Sequence, residues 1–318
     1  MNPSNRYLTY AVITLLPLVA AALLAWWGAS YQSALIRSHK LNVISVHSSA
    51  EMKIKFERLG LSWPPEPGPT VPRFTVRSLP GDLDDVMDLE LRKSLFIRAL
   101  LPSILAENQR IRDLRNNVKS LLKNGLSATG TPAWHWLQSI MQNYRIKGDI
   151  RQPAVQRLLL RRLDVIPPSL VLAQAANESG WGTSRFAVEG NNLFGIWTYK
   201  DDRGLIPTAR AEDMEHAVRR YPNIRASVRA YLYTLNIGGS YRQLRILRED
   251  MRQSGRAPDA LGLVDGLVRY SQRGMDYVED IRNIVERNQL QLLDKVELYP
   301  LKVELVMKLP VMNESKDG

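Results

Sequence analysis

Apolar residues recur at helical spacing through most of the chain after Asp82, and this periodicity limits the possible folds more than any other feature. One long periodic stretch runs to about Lys123. Pro102 should kink or split it, because proline lacks a backbone donor and clashes with the preceding turn. Further helices are predicted over residues 132–143, 153–163, 168–178, 224–237, 241–252, 258–269 and 274–293. Between Gly190 and Val218 the pattern changes to glycines, prolines and short aromatic or β-branched runs. The sequence therefore predicts a mainly α-helical domain with a small β or irregular lobe after its central helix.

The N-terminal segment, residues 1–30, contains an uncharged run from Leu8 to Trp27. At about 1.5 Å per residue, such a run is long enough to cross a bilayer as a helix. It exceeds the apolar core of a cleaved signal peptide, roughly 7–15 residues, although the small residues at 28–30 keep cleavage open as the alternative. We expect a transmembrane anchor, with residues from about 31 onward outside the cytoplasm.

Changes in composition divide the rest of the chain into a linker, an arm, a main domain and a tail. Residues 31–81 are predicted to form a stalk and proline-rich linker, since 31–59 look helical and polar and 60–81 carry six prolines. Residues 82–130 are predicted to be a helical arm that packs on the main domain. Residues 131–295 form that domain, opened by Thr131 as N-cap and Pro132 at the first helical position. Residues 296–318 are a C-terminal tail.

Composition also narrows the function classes. The chain has no cysteine, which excludes disulfides, thiolate zinc sites and a cysteine nucleophile. Its histidines are scattered and form no HExxH motif, and neither a phosphate loop nor a GxSxG elbow is present, so no metal or other cofactor is expected. The net charge of +11 favours anionic surroundings. Because that charge is spread along the chain, nucleic-acid binding is not expected.

The stretch LAQAANESGWG ends an apolar helix on Glu178, three residues before Trp181. A carboxyl acts as a general acid near neutral pH only if its pKa is raised. Burial against the helix and Trp181 would raise the pKa, as would the partial negative charge of the helix C-terminus. No lysine or arginine lies within five residues to oppose this. Gly180 and Gly182 would let the chain turn sharply and leave the carboxyl facing a cleft. The alternative is an ordinary glutamate with its charge in solvent.

The segment NESGWGTSRFAVEGNNLFGIW resembles the catalytic core of the glycoside hydrolase family 73 endo-β-N-acetylglucosaminidases, which cut the glycan strands of peptidoglycan. The segments YPNIRASVRAYLYTL, GGSYRQL and RYSQRGMDYVEDI are similar to the same family, and with SLFIRALLPSILAEN the chain most resembles its Bax-like bacterial branch over about residues 90–290. The resemblance implies a lysozyme-like fold with Glu178 as the catalytic acid. With the predicted anchor, it implies an inner-membrane protein whose catalytic domain acts on glycan strands in the periplasm.

By the same resemblance, Tyr270 should face Glu178 across the cleft, with core packing at a helix end as the alternative. Flat aromatic rings suit the apolar faces of sugars, whereas an asparagine after the central helix either lines the cleft or makes a turn. The residues expected to bind substrate are Trp181, Asn191, Trp197, Tyr199 and Tyr241.

The second carboxylate of some relatives has no clear counterpart here. The corresponding stretch holds Asp201, Asp202, Glu212, Asp213 and Glu215, each better explained as a solvated loop charge. Two carboxyls about 5–5.5 Å apart would imply a nucleophile and a wider gap a water-activating base. A third route uses the N-acetyl oxygen of the substrate as nucleophile. The stereochemistry therefore stays open, and a lytic transglycosylase or a non-catalytic glycan-binding scaffold remain alternative functions.

Overall fold

The computed structural model describes residues 39–61, 63, 70–126, 128–198, 204–205 and 217–300. The α-helices are α1 (Ser49–Arg58), α2 (Leu89–Lys123), α3 (Pro132–Asn143), α4 (Pro153–Arg162), α5 (Pro168–Ser179), α6 (Arg185–Gly190), α7 (Ile224–Ile237), α8 (Arg242–Gln253), α9 (Ala260–Leu263) and α10 (Met275–Arg287). The strands are β1 (Asn42–Ile44), β2 (Thr70–Val71), β3 (Phe74–Val76), β4 (Trp197–Thr198), β5 (Gly204–Leu205), β6 (Ala217–Arg219) and β7 (Glu297–Leu298). Short 3-10 helices cover Gly239–Tyr241, Val264–Leu267 and Leu290–Lys295. Helix dominates, as the periodicity predicts.

The proline and cap signals locate helix starts well. Helices α3, α4 and α5 each begin on a proline, and the Thr131 hydroxyl caps α3 by accepting from the Trp134 amide at 3.3 Å. The predicted split at Pro102 does not occur, because α2 continues through that residue. The residues on either side of Pro102 are buried, and the Ser103 hydroxyl donates to Thr75 on β3 at 2.9 Å. Tertiary packing thus holds the helix through its missing backbone bond.

The described part of the predicted stalk and linker belongs to the folded body. Strand β1 pairs in parallel with β3, and β2 pairs in parallel with β7 near the end of the described chain. Phe74 and Val76 are buried, and the Phe74 ring lies 5.5 Å from Phe56 of α1. Proline-rich composition indicates extended backbone, and here part of that backbone is strand. The predicted anchor, Leu8–Trp27, lies outside the described residues. Within those residues, no helix is long and apolar enough to cross a membrane.

Helix α5 lies at the centre of the main domain. It is buried from Pro168 to Ala176 and packs against α2, α10 and the 3-10 helix Leu290–Lys295. Pro167 offers no side-chain cap. The missing acceptor comes from Asp294, whose carboxylate accepts from the Ser169 amide at 2.8 Å and from its hydroxyl at 2.7 Å. The helix that carries Glu178 is thus fixed at its N-terminus by a residue distant in sequence.

The small lobe and the C-terminal helices differ in detail from the elements predicted from the sequence. In the described part of the lobe, β4, β6 and β5 form an antiparallel sheet in that order, with Trp197 opposite Val218. Helix α6, only six residues long, precedes the lobe and is too short to be recognised by periodicity. The predicted helix over 258–269 is α9 followed by a 3-10 turn, and the one over 274–293 is interrupted after α10, where Gln289 adopts a left-handed conformation.

Candidate active site

Glu178 lies in the last turn of α5 and is half-buried. Burial raises the pKa of its carboxyl above the ordinary value of 4.5, while smaller effects of hydrogen bonds from Tyr277 and Asn177 oppose the rise. No ion pair joins Glu178 to any described residue. The carboxyl therefore keeps its proton to higher pH than an exposed glutamate does, which is the property a general acid needs.

A sharp turn follows Glu178. Gly180, Trp181 and Gly182 have consecutive positive φ values of 58°, 57° and 86°. A Cβ on Gly182 would lie 2.6 Å from Leu79 and 2.8 Å from Phe96, so only glycine fits this position. The Trp181 ring packs edge-on against Phe96, with ring centroids 5.8 Å apart. The turn therefore ends α5 directly after the carboxyl and locks the chain against α2.

The NNLFG segment brings backbone close to the carboxyl. The Asn192 amide group donates to the carbonyls of Ile196 and Arg219, at 2.7 and 2.9 Å, and its oxygen accepts from the Ile196 amide at 3.0 Å. These bonds hold a tight loop against β6. Gly195 adopts φ +61°, and a Cβ there would lie 3.8 Å from Glu178 Oε2. The loop thus places a residue without a side chain beside the carboxyl.

A cluster of tyrosines lies near Glu178. The Tyr270 ring stacks on Tyr277 at 5.2 Å and lies 5.8 Å from the Tyr241 ring in a tilted arrangement. Tyr231 on α7 stacks on Phe194 at 3.9 Å. Burial, together with the nearby Glu178 carboxylate, raises the pKa of Tyr231, Tyr241, Tyr270 and Tyr277, so all four hydroxyls are neutral donors. The tyrosines near the Glu178 carboxyl are thus neutral groups rather than cations.

Tyr270 and Tyr277 make different contacts within this cluster. The Tyr270 hydroxyl donates to the Phe194 carbonyl at 3.0 Å, next to Gly195. The tyrosine whose side chain opposes the rise in the pKa of Glu178 is Tyr277 on α10. The Tyr277 oxygen in turn accepts from Gln174 at 2.8 Å. Tyr270 thus lies in the cluster near Glu178, and its predicted catalytic role stays a prediction.

Tyr277 and Gln174 are not among the sites expected from the sequence. Gln174 precedes Glu178 by four residues, so both side chains lie on one face of α5. A glutamine inside an otherwise apolar helix, on the same face as Glu178, is the sequence signal that could have identified Gln174. Tyr277 follows Tyr270 at a spacing of about two helical turns. The helix is broken before α10, however, so the spacing alone does not predict that the two rings stack.

The expected substrate-binding residues differ in exposure. Trp197 is 51% exposed on β4, as a stacking platform requires, and Tyr241 is half-buried beside Tyr270. Asn191 is buried in a left-handed turn and donates to the Tyr221 carbonyl at 3.0 Å, which accounts for it as a turn residue. Trp181 is partly buried, with Lys93 over its ring. Tyr199 lies outside the described residues, as do Asp201, Asp202, Glu212, Asp213 and Glu215. The predicted roles of all these residues in substrate binding or catalysis remain predictions.

These features define a class of protein. A helical domain with a small β lobe carries Glu178, a half-buried carboxyl whose pKa is raised, at the end of its central helix and beside the exposed Gly195. In the part of the chain that is described, no group of three or more acidic or histidine side chains could hold a metal ion. A half-buried carboxyl of raised pKa beside aromatic side chains is the arrangement of a glycosidase acid site, in which the acid protonates a leaving oxygen.

Comparison with known proteins agrees with this class. Residues 155–290 match the glucosaminidase family, described as mannosyl-glycoprotein endo-beta-N-acetylglucosaminidase. The chain is 32% identical over 200 residues to Protein bax of Escherichia coli (strain K12), a match that covers 62% of this chain and 70% of that protein. It is 29% identical over 156 residues to Exo-glucosaminidase LytG of Bacillus subtilis (strain 168), covering 47% of this chain and 53% of that protein. No solved structure gives a significant match.

The chain belongs to the glucosaminidase family and is a glycoside hydrolase that acts on peptidoglycan. The expected resemblance is thereby confirmed.

Proposed function

We propose that Glu178 is the general acid with which this chain cleaves β-1,4 glycosidic bonds of peptidoglycan strands at N-acetylglucosamine. The observation that carries the proposal is the environment of this carboxyl. It is half-buried, its pKa is raised by that burial, and it lies beside Gly195, where no side chain blocks the approach of a sugar. A neutral carboxyl in this position can protonate the leaving oxygen as the bond to the anomeric carbon breaks.

The group that attacks the anomeric carbon is proposed to come from the substrate. No described carboxylate contributes to the pKa of Glu178, and the acidic residues of the lobe lie outside the described part. In the proposed route, the N-acetyl oxygen forms a bond to the anomeric carbon while the leaving oxygen takes the proton of Glu178. Water then displaces the N-acetyl oxygen and returns a proton to the Glu178 carboxylate. The product is a reducing sugar, which separates hydrolysis from a lytic transglycosylase with its anhydro ends.

We also propose that the run Leu8–Trp27 anchors the protein in the bacterial inner membrane, with the glucosaminidase domain in the periplasm. The support is the length of the uncharged run and the location of peptidoglycan outside the cytoplasm. Fractionation of cells that express the full chain tests this. Recovery of the intact chain from the cytosol would refute it, and a mature N-terminus near Tyr31 would replace the anchor by a cleaved signal.

The test of the acid is Glu178→Gln, assayed by release of soluble fragments from purified sacculi. Glutamine keeps the shape of the side chain but has no proton to transfer, so cleavage should fall at least about a hundredfold. The matched control is Glu189→Gln on α6, an exposed glutamate paired with Arg185 at 3.1 Å, which should retain the wild-type rate. Near wild-type cleavage by Glu178→Gln would refute the assignment, and anhydro ends in the wild-type products would favour the transglycosylase.

A further inference from the structure

A chain of buried hydrogen bonds runs beneath Glu178. The Tyr231 hydroxyl donates to Gln174 Oε1, and Gln174 Nε2 donates to the Tyr277 oxygen at 2.8 Å. Tyr277 is the neighbour of Glu178 at the end of this chain, since each of the two side chains shifts the pKa of the other. Gln174 is fully buried, while Tyr231 and Tyr277 are only 1% and 2% exposed. The core thus connects to the carboxyl through three side chains without passing through solvent.

The direction of each bond follows from the chemistry of the groups. An amide oxygen only accepts and an amide nitrogen only donates. The Tyr231 hydroxyl makes no other hydrogen bond to a described residue, so its hydrogen requires Gln174 Oε1 as acceptor. Gln174 must then turn its nitrogen toward Tyr277. Because the Tyr277 oxygen accepts from that nitrogen, the Tyr277 hydrogen is left for another acceptor, and Glu178 is the neighbouring carboxyl whose pKa responds to Tyr277.

We propose that Gln174 and Tyr231 are positioning residues that direct the Tyr277 hydrogen onto one carboxyl oxygen of Glu178. The proton destined for the leaving group is then carried on the other oxygen. This inference rests on the proposed role of Glu178 as general acid. A carboxylic acid has one O–H and two non-equivalent oxygens, so choosing the oxygen chooses the direction in which the proton can be delivered. Direction matters because small misplacements of a catalytic group can cost about a hundredfold in rate.

Two nearly isosteric variants test the proposal. Tyr231→Phe keeps the ring that stacks on Phe194 but frees the Gln174 amide to turn over. Gln174→Met keeps a side chain of similar length but removes the donor to Tyr277. In both, the bond that favours the ionised form of Glu178 weakens, so the pKa of Glu178 rises. We expect the basic limb of the kcat/KM profile to move to higher pH, and kcat to fall about three- to tenfold with little change in KM.

A double variant and a control complete the experiment, performed with the full chain on purified sacculi. If the two residues act as one unit, the double variant should be no slower than the slower single variant. Tyr221→Phe is the matched control, since the buried Tyr221 hydroxyl has no partner among the described residues. Its pH profile should match the wild type.

The outcomes separate this inference from the proposed function. Suppose Glu178→Gln abolishes cleavage while folded Tyr231→Phe and Gln174→Met keep the wild-type basic limb. The positioning role is then wrong and the acid stands. A loss of rate that is equal at every pH would mean a merely structural role and would also overturn it. Retained cleavage by Glu178→Gln removes the basis of both.

Discussion

Glu107→Gln should destabilise the fold by about 3 kcal/mol at neutral pH. Glu107 on α2 has no exposed side-chain surface and pairs with three arginines, at 2.9 Å for Arg110, 2.5 Å for Arg225 and 2.8 Å for Arg229. Burial alone would raise its pKa, but the arginines outweigh that effect and lower the pKa from 4.5 to about 2. At about 1.36 kcal/mol per pKa unit, the ionised carboxylate contributes roughly 3 kcal/mol to folding. Breaking a buried pair costs a similar amount, about 3–5 kcal/mol.

The sign of the pH dependence gives a second check on the same variant. Because the pKa of Glu107 is lower in the folded chain, its contribution is fully present above about pH 4.5 and is lost as the pH falls toward about 2. Urea unfolding of wild type and Glu107→Gln at a series of pH values should show a difference near 3 kcal/mol at pH 7 that shrinks in acid. The control is Glu90→Gln on the same helix, whose side chain is 80% exposed. Its effect should stay within about 0.5 kcal/mol. Equal stability of wild type and Glu107→Gln at pH 7 would refute the reasoning.

Three further predictions concern the site. The pKa of Glu178 is raised by burial, so kcat/KM should fall with rising pH at a pH above the pKa of an exposed glutamate. For the same reason Glu178→Gln should be at least as stable as wild type at neutral pH and should lose that advantage in acid, as thermal unfolding would reveal. Single alanine variants should each lose less than tenfold in rate on glycan strands, about 1.4 kcal/mol, at Asp201, Asp202, Glu212, Asp213 and Glu215. Tyr270→Phe should lose more. One carboxylate variant as slow as Glu178→Gln would establish a two-acid mechanism instead. Gly182→Ala should lower stability by more than about 1 kcal/mol, measured by urea unfolding, because alanine is strained at φ +86° and its Cβ would overlap Leu79 and Phe96; an unchanged midpoint would contradict this.

The order of helices was predictable because its signals are local. Proline at the first helical turn locates α3, α4 and α5 to within a residue or two, and the Thr131 cap adds a second signal for α3. The features that differ depend on tertiary contacts. Helix α2 continues through Pro102 because its neighbours are buried, and the strands at 70–71 and 74–76 form by pairing with distant partners, one of them β7. Composition cannot reveal such pairings, since extended proline-rich backbone and a strand both lie in the broad β region of φ and ψ.

In the candidate site, too, the residues set by local sequence were predictable and those set by tertiary contacts were not. Glu178 was predictable because the apolar helix before it and the glycines after it are contiguous in sequence, and they determine where α5 ends and how the chain leaves it. The groups that act on its proton come from elsewhere. Tyr277 arrives on α10 and Tyr231 on α7, and no spacing in the sequence relates them to α5. Among the residues expected near the acid, Tyr270 is in the cluster, but its hydroxyl holds the Phe194 carbonyl.

The two kinds of contact around Glu178 oppose one another, and both are needed for an acid. Burial favours the protonated carboxyl, whereas the Tyr277 and Asn177 hydrogen bonds favour the ionised form. Burial alone would make the acid too weak to release its proton, and the donors alone would make it ionised before substrate binds. An acid that must give up its proton in the transition state and recover it afterwards needs a pKa near the working pH, so neither form can be strongly preferred. Tyr277 meets this requirement better than a lysine or arginine would, because it favours the ionised form of Glu178 without adding a charge.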